Sequence, residues 1–251
     1  MMELRICHLY PDVLNLYGDR GNIMSMANRL KWRGIDCTVT NINIGQRFNP
    51  DDYDLFFIGG GQDFEQEVLL ADLKRGKANA IKYAIEDEKV MLAICGGYQM
   101  LGDYYQTWDG HQYEFIGAID FYTVGGKKRM IGDYMFQLAP KDENLFIVGF
   151  ENHSGRTFLG KQTQELGKIV IGNGNNGKDR KEGVRYKNVY GTYSHGPILP
   201  KNYKFCDLLL KRALRRRYPA MSLEAIDNTF EERAYKYMYS KLYKLYSKKH
   251  G

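Results

Sequence analysis

In the segment Val90-Met91-Leu92-Ala93-Ile94-Cys95-Gly96-Gly97-Tyr98-Gln99 an apolar run stops at a cysteine followed by two glycines. The pattern predicts a strand that ends at a nucleophile on a tight turn before a helix, with Ala93 and Gly97 small so that strand and helix approach closely. Cys95 is then expected to stand exposed and reactive. The Gly96 amide, at a helix N-terminus, can lower a thiol pKa and bind a developing oxyanion. A second apolar run, Asp54-Leu55-Phe56-Phe57-Ile58, enters Gly59-Gly60-Gly61-Gln62-Asp63. Glycine amides there can approach a ligand with no side chain in the way. If the two strands are neighbours in a parallel sheet, one N–H from Gly60 or Gly61 and one from Gly96 converge on a single oxygen.

A cysteine nucleophile needs a base. Of the five histidines, His8 lies in the first strand, His111 in a polar loop and His250 in the tail, which leaves His153 and His195. His195 ends the apolar-to-turn segment Asn188-Val189-Tyr190-Gly191-Thr192-Tyr193-Ser194-His195-Gly196-Pro197. It is far from Cys95 in sequence, as cysteine–histidine pairs joined only by folding often are. His153, in Phe150-Glu151-Asn152-His153-Ser154-Gly155-Arg156-Thr157, is its competitor. Cys7, Cys37 and Cys206 read as buried cysteines at the ends of core strands.

As a set, these segments resemble the class I, triad-type glutamine amidotransferases, and within them the cobyric-acid-synthase-like branch. The motifs that carry the likeness are Leu9-Tyr10-Pro11-Asp12, Tyr17-Gly18-Asp19-Arg20-Gly21-Asn22, Ile58-Gly59-Gly60-Gly61-Gln62-Asp63, Cys95-Gly96-Gly97-Tyr98-Gln99 and Glu151-Asn152-His153-Ser154-Gly155-Arg156-Thr157. The free-standing length is similar to that of the glutaminase subunits of lipid II isoglutaminyl synthase. The resemblance implies that Cys95 is the nucleophile, His195 its general base, and Gly96 with Gly60 or Gly61 the oxyanion hole. It further implies that Gln99 contacts substrate and that Asn152 and His153 form a loop beside the substrate's amino-acid end. One departure stands out. The family's usual glutamate two residues after the histidine is Pro197 here, so an orienting acid must come from elsewhere in the chain, from a partner, or be absent; loss of such a group costs about 10⁴ in rate in other triads.

Glutamine itself demands a guanidinium or amide donors for its α-carboxylate. Arg129, in Gly125-Gly126-Lys127-Lys128-Arg129-Met130, lies between a glycine turn and an apolar segment, where it can be aimed inward. Ammonia released into bulk water is protonated and lost, so a coupled acceptor site is required. Gly172-Asn173-Gly174-Asn175-Asn176-Gly177-Lys178 nearly spells a phosphate loop, but Asp179 stands where a magnesium-binding Ser/Thr is needed. It reads instead as a hairpin loop with Asn and Gly in left-handed conformations. No cofactor is therefore expected on this chain. The resemblance places ATP and Mg on a Mur-ligase-like partner of the MurT type, in a heterodimer that amidates the D-glutamate of the lipid II stem peptide and meets membrane-bound lipid II through the complex. The alternatives are a glutaminase serving a corrinoid, or a weakly active glutaminase fold acting as a binding or regulatory module.

The positioning elements follow from the patterning. Strands near residues 3–9, 35–42, 54–58 and 90–94 alternate with helices near 20–33 and 64–87, which predicts an α/β fold: a mostly parallel sheet flanked by helices, with ligands at the carboxyl ends of the strands. From about 115 to 193 the pattern turns to short strands. Residues 1–200 read as the glutaminase domain and 201–251 as a basic, Tyr-rich helical extension packed on it. The extension holds 13 Lys/Arg against 5 Asp/Glu, whereas the first 200 residues hold 23 against 25, so all the positive excess of a +6 chain sits there. In it Thr229-Phe230-Glu231-Glu232 reads as a capping box ahead of Tyr235, Tyr239, Tyr243 and Tyr246 at helical spacing. No nucleic-acid readout motif accompanies the charge, so nucleic acid is not expected as a partner. With no signal-like N-terminus, no long apolar span and four cysteines without paired spacing, the expected location is a reducing cytoplasm.

Overall fold

The computed structural model describes residues 2–61, 63–139 and 144–250. Its first sheet has six strands in the order β11 (Val184–Tyr186), β12 (Val189–Thr192), β4 (Val90–Ile94), β3 (Leu55–Ile58), β1 (Glu3–Leu9) and β2 (Asp36–Ile42). All pairs are parallel except β11 with β12. Strands β3, β4 and β12 are buried at every residue. That is why they read as unbroken apolar or small runs and not as alternations. Helix α1 (Arg20–Lys31) lies against α6 (Tyr203–Arg217), and α6 also touches β1 and β4. Cys206 is buried within α6 and Cys37 is only partly buried on the edge strand β2, so neither sits at the end of a core strand.

The single helix expected over 64–87 is divided. Helix α2 (Asp63–Asp72) passes through a widened turn at Leu73–Lys77 into α3 (Ala78–Glu86). Gly76 takes φ 115° there, a conformation that interrupts the helical ladder and that glycine alone adopts at little cost.

The second sheet is mostly antiparallel, in the order β10 (Lys181–Glu182), β9 (Gly167–Ile171), β7 (Phe121–Leu138), β5 (Tyr104–Gln106) and β6 (Gln112–Glu114), with β8 (Phe146–Leu159) also on β7. The strands here are not all short: β7 and β8 run for 18 and 14 residues. A register shift between Gly125 and Met130 hides the length of β7 in the sequence. The expected hairpin loop does join β9 to its antiparallel neighbour β10. Its left-handed residues, however, are Gly172, Gly174, Gly177 and Arg180. The asparagines act through side chains instead: Asn175 Nδ2 donates to Gly183 O at 2.9 Å while its Oδ1 accepts from Gly183 N at 2.8 Å.

Helix α7 (Thr229–His250) crosses this second sheet. Leu242 is fully buried beside Met135 and Val148, and Tyr235 donates to Phe146 O at 2.9 Å. The capping box does not form. The Asp227 carboxylate accepts from the Thr229 amide at 2.9 Å and hydroxyl at 2.6 Å, so a stronger acceptor two residues earlier takes the role and leaves Thr229 inside the helix. Among the described residues no helix is long and apolar enough to cross a membrane.

Candidate active site

Strand β4 runs directly into α4 (Gly96–Gln99) through Cys95, whose φ of 47° and ψ of −107° are sterically unfavourable for a residue with a Cβ. Such strain costs about 1–3 kcal/mol and persists only where neighbours enforce it. Here they do: Cys95 N donates to Thr192 O at 2.8 Å, and Cys95 O accepts from Gln99 N at 2.8 Å. Gly97 has to be glycine, because a Cβ there would lie 2.5 Å from both Gly59 O and Ile58 Cγ2. The expectation of an exposed thiol is corrected, since Cys95 is only 5% exposed. Asp19 and His195 crowd around Gly60 beside it, and Leu14 O and Asp19 press on Gly59.

His195 stands three residues beyond β12, the strand beside β4, and its amide donates to Phe150 O at 2.8 Å. A Cβ built on Gly60 would lie 3.0 Å from His195 Cε1, 3.4 Å from Cys95 Cβ and 3.3 Å from Asp19 Oδ2, so these three residues meet around one glycine. His195 is fully buried, and among the described residues neither ring nitrogen has a hydrogen-bond partner. Burial, reinforced by repulsion from His153, Arg129 and Lys201, pushes its pKa down to about 3. The imidazole is therefore neutral near pH 7, and among the described residues no carboxylate is bonded to either ring nitrogen to fix its tautomer. The other buried acids nearby are engaged elsewhere. Glu182 accepts from Thr192 Oγ1 at 2.6 Å, Tyr193 N at 3.0 Å and Tyr134 OH at 3.1 Å, and burial raises it to about 7. Glu151 accepts from Asn173 N at 2.7 Å and Gly174 N at 3.0 Å.

At the glycine strand the Gly60 amide already has a partner. Gly60 N donates to Asp19 Oδ2 at 2.6 Å, and Gly60 O accepts from Leu16 N at 3.0 Å. Asp19 is fully buried, and burial raises its carboxyl to about 7 against the lowering effect of the Gly60 bond. Sequence reasoning assigned Asp19 no role. The signal was there in an acid set between Gly18 and Gly21 just ahead of a helix. Gln62, the next residue of the motif, lies outside the described residues.

Arg129 and Asn152 form the rim. Arg129 donates from Nε to Asn152 Oδ1 at 2.7 Å and from Nη2 to Asn152 O at 2.8 Å. Asn152 Nδ2 donates in turn to Tyr17 OH, and the Tyr17 ring meets His195 edge-on with centroids 4.9 Å apart. Tyr17 is a rim residue that sequence reasoning missed. Asn152 and His153 lie in strand β8 and not in a loop, because β8 continues its pairing with β7 through Asn152↔Ile131 and His153↔Met130. His153 is buried behind the rim, stacked on Tyr193 at 3.6 Å, with Nδ1 2.8 Å from Gly155 O. Gln99 also turns inward and donates to Tyr193 OH at 3.0 Å. The structure thus gathers Cys95, His195, Gly60 and Asp19 at the centre, sets Arg129, Asn152 and Tyr17 at the mouth, and packs Gln99 and His153 beneath.

Residues 5–203 match the CobB/CobQ-like glutamine amidotransferase domain. The chain is 46% identical over 234 residues to the GatD subunit of the glutamine-hydrolyzing lipid II isoglutaminyl synthase of Staphylococcus aureus (strain N315), covering 93% of this chain and 94% of that one. The corresponding GatD subunit of Streptococcus pneumoniae (strain ATCC BAA-255 / R6) is 42% identical over 217 residues, 86% of this chain and 82% of that one. A cobyric acid synthase of Clostridium kluyveri is 30% identical over 154 residues, 59% of this chain and 30% of the longer protein. Among solved structures, a glutamine amidotransferase from Thermotoga maritima superposes with a TM-score of 0.53 at 16% identity, covering 95% of this chain and 94% of that one. A chain of PurLQS from the same organism gives a TM-score of 0.53 at 18% identity, over 86% of this chain and all of that one. At such identities the likeness is one of fold.

Proposed function

The chain belongs to the CobB/CobQ-like glutamine amidotransferases, and from that premise we propose that it is the glutaminase subunit of a lipid II isoglutaminyl synthase, releasing ammonia from L-glutamine at Cys95. The observation that carries the chemistry is the strained Cys95 turn meeting His195 across Gly60. In this reading neutral His195 takes the Cys95 proton, and the thiolate attacks the γ-carboxamide carbon. The tetrahedral oxyanion is held by the Gly96 amide and a glycine-strand amide. His195 returns the proton to the leaving nitrogen, ammonia departs, and water hydrolyses the glutamyl thioester with His195 again as base. Arg129 at the mouth receives the α-carboxylate.

The 46% identity to a GatD subunit over 93% of the chain supports the acceptor assignment. Ammonia then passes to a Mur-ligase-like partner of the MurT type in a cytoplasmic heterodimer. ATP and Mg bind that partner, and the D-glutamate α-carboxyl of the lipid II stem peptide is amidated there. A corrinoid acceptor is the weaker reading, since the cobyric acid synthase relative matches only 59% of the chain. The test is Cys95→Ser together with labelling by a glutamine-like electrophile. Glutamine hydrolysis should vanish in a folded variant, and the label should sit on Cys95 of the parent chain. A label on Cys7, Cys37 or Cys206 would overturn the assignment, and a parent chain that is neither labelled nor hydrolytic with its partner present would make the fold a binding module.

A further inference from the structure

We propose that Asp19 is a positioning residue of the glutaminase reaction: by clamping the Gly60 peptide it makes Gly61, and not Gly60, the glycine-strand amide that faces the oxyanion. The inference rests on the glutaminase reading above and goes beyond it by assigning a residue with no previous role. Asp19 is fully buried and stands at the positive end of α1. Its Oδ2 accepts the Gly60 N–H at 2.6 Å, while Asn22 Nδ2 lies 3.3 Å from its other oxygen. An amide has one hydrogen, and that of Gly60 is committed. On its other side the Gly60 carbonyl accepts from Leu16 N at 3.0 Å. In a planar trans peptide the following N–H points opposite to the carbonyl, so the Gly61 amide is aimed away from Leu16 and the segment bearing Asp19. Both faces of the Gly60 unit are thus tied to residues 16–19, and the same glycine meets His195 and Cys95 through its α-carbon.

Ammonia release by the full chain with its ATP-dependent partner is measured for the parent, Asp19→Ala, Asp19→Asn and Asp19→Glu, each kcat normalised to the fraction of Cys95 that a glutamine-like electrophile labels. Losing an oxyanion donor outright costs about 10²–10³ in kcat, so mispositioning one should cost about tenfold or more in Asp19→Ala with the glutamine KM little changed. Asp19→Asn keeps an acceptor at the same reach and should recover most of that loss. Asp19→Glu keeps the charge but adds a methylene, which pushes the Gly60 peptide away, and it should rank below Asp19→Asn. A kcat that rises in Asp19→Ala would mean that Asp19 blocks a working Gly60 donor. Glu outranking Asn would mean that charge and not position matters, and an unchanged normalised kcat in Asp19→Ala would leave no role in the reaction; each overturns the inference. If Asp19→Ala does not fold, the Asn-to-Glu ranking decides alone. A parent that hydrolyses no glutamine and takes no label would instead sink the glutaminase reading itself.

Discussion

His195 is held neutral by the same enclosure that buries Cys95, and this sets what the rim must contribute. With both imidazole nitrogens unpaired among the described residues and burial pushing its pKa down to about 3, the residue resists the protonation that the proposed reaction requires, and cationic groups at the mouth add to that resistance. Arg129 is such a group. It is exposed, aligned by two bonds to Asn152, and counted among the charges that lower His195. Arg129→Ala should therefore raise the glutamine KM, about tenfold or more for a lost carboxylate pair, and leave kcat equal or slightly higher, because the pair is made equally in ground and transition states. Steady-state ammonia release across a glutamine series checks this, and an unchanged KM would leave Arg129 a surface residue of β7 with no part in glutamine binding. The residues found by sequence were those whose signal is local: Cys95 before two glycines, and the glycine triplet after an apolar run. Asp19 carries a local signal, an acid between Gly18 and Gly21, but its role and that of Tyr17 were not legible, because their partners Gly60 and Asn152 lie 41 and 135 positions away and only folding joins them.

The turn at Cys95 works through the distance between two elements, the carboxyl end of β3 and the start of α4. Gly97 sets that distance, since any Cβ there meets Gly59 O and Ile58 Cγ2 at 2.5 Å. Gly97→Ala should push α4 away from β3 and separate the Gly96 amide from the glycine strand. Overpacking of this kind costs about 1–3 kcal/mol of stability. If the two oxyanion donors are those proposed, they belong to the two elements being separated, and kcat should fall more steeply than denaturant unfolding alone would suggest; a variant destabilised to that extent yet fully active would show that the spacing serves packing only. The central parallel strands β3 and β4 were readable because each is buried on both faces and so spelled as an apolar run, whereas β2 on the sheet edge is mostly exposed. The second sheet resisted reading for the opposite reason. Strand β7 carries Gly125-Gly126-Lys127-Lys128-Arg129 across its register shift, residues that spell a turn in isolation and stay in the strand only because β8 pairs on both sides of the irregularity. Gly76, likewise, divides α2 from α3 by a φ that the surrounding helical periodicity does not announce.

At the scale of the whole molecule the site is closed on one side and incomplete on the other. The basic C-terminal region is partly spent inside the chain: Arg216 pairs with Asp87 at 2.8 Å, Arg217 with Glu3 at 3.5 Å and Lys241 with Asp133 at 3.1 Å. What the chain does not supply, among its described residues, is an acid for His195. Pro197 occupies the usual position and packs against Gly21, Asp19 is bound to Gly60, and Glu182 and Glu151 are held by their own donors. If a partner provides that acid across the interface, it will stabilise the imidazolium that forms as Cys95 gives up its proton and will fix the tautomer. Neither effect touches the binding of neutral-amide substrate. Association should therefore raise kcat, by as much as the order of 10⁴ that an orienting carboxylate is worth in other triads, and change KM far less. Steady-state ammonia release from the chain alone and with saturating ligase subunit measures both constants. Equal kcat values would mean that His195 works without an orienting acid from a partner, despite the burial that disfavours its protonated form.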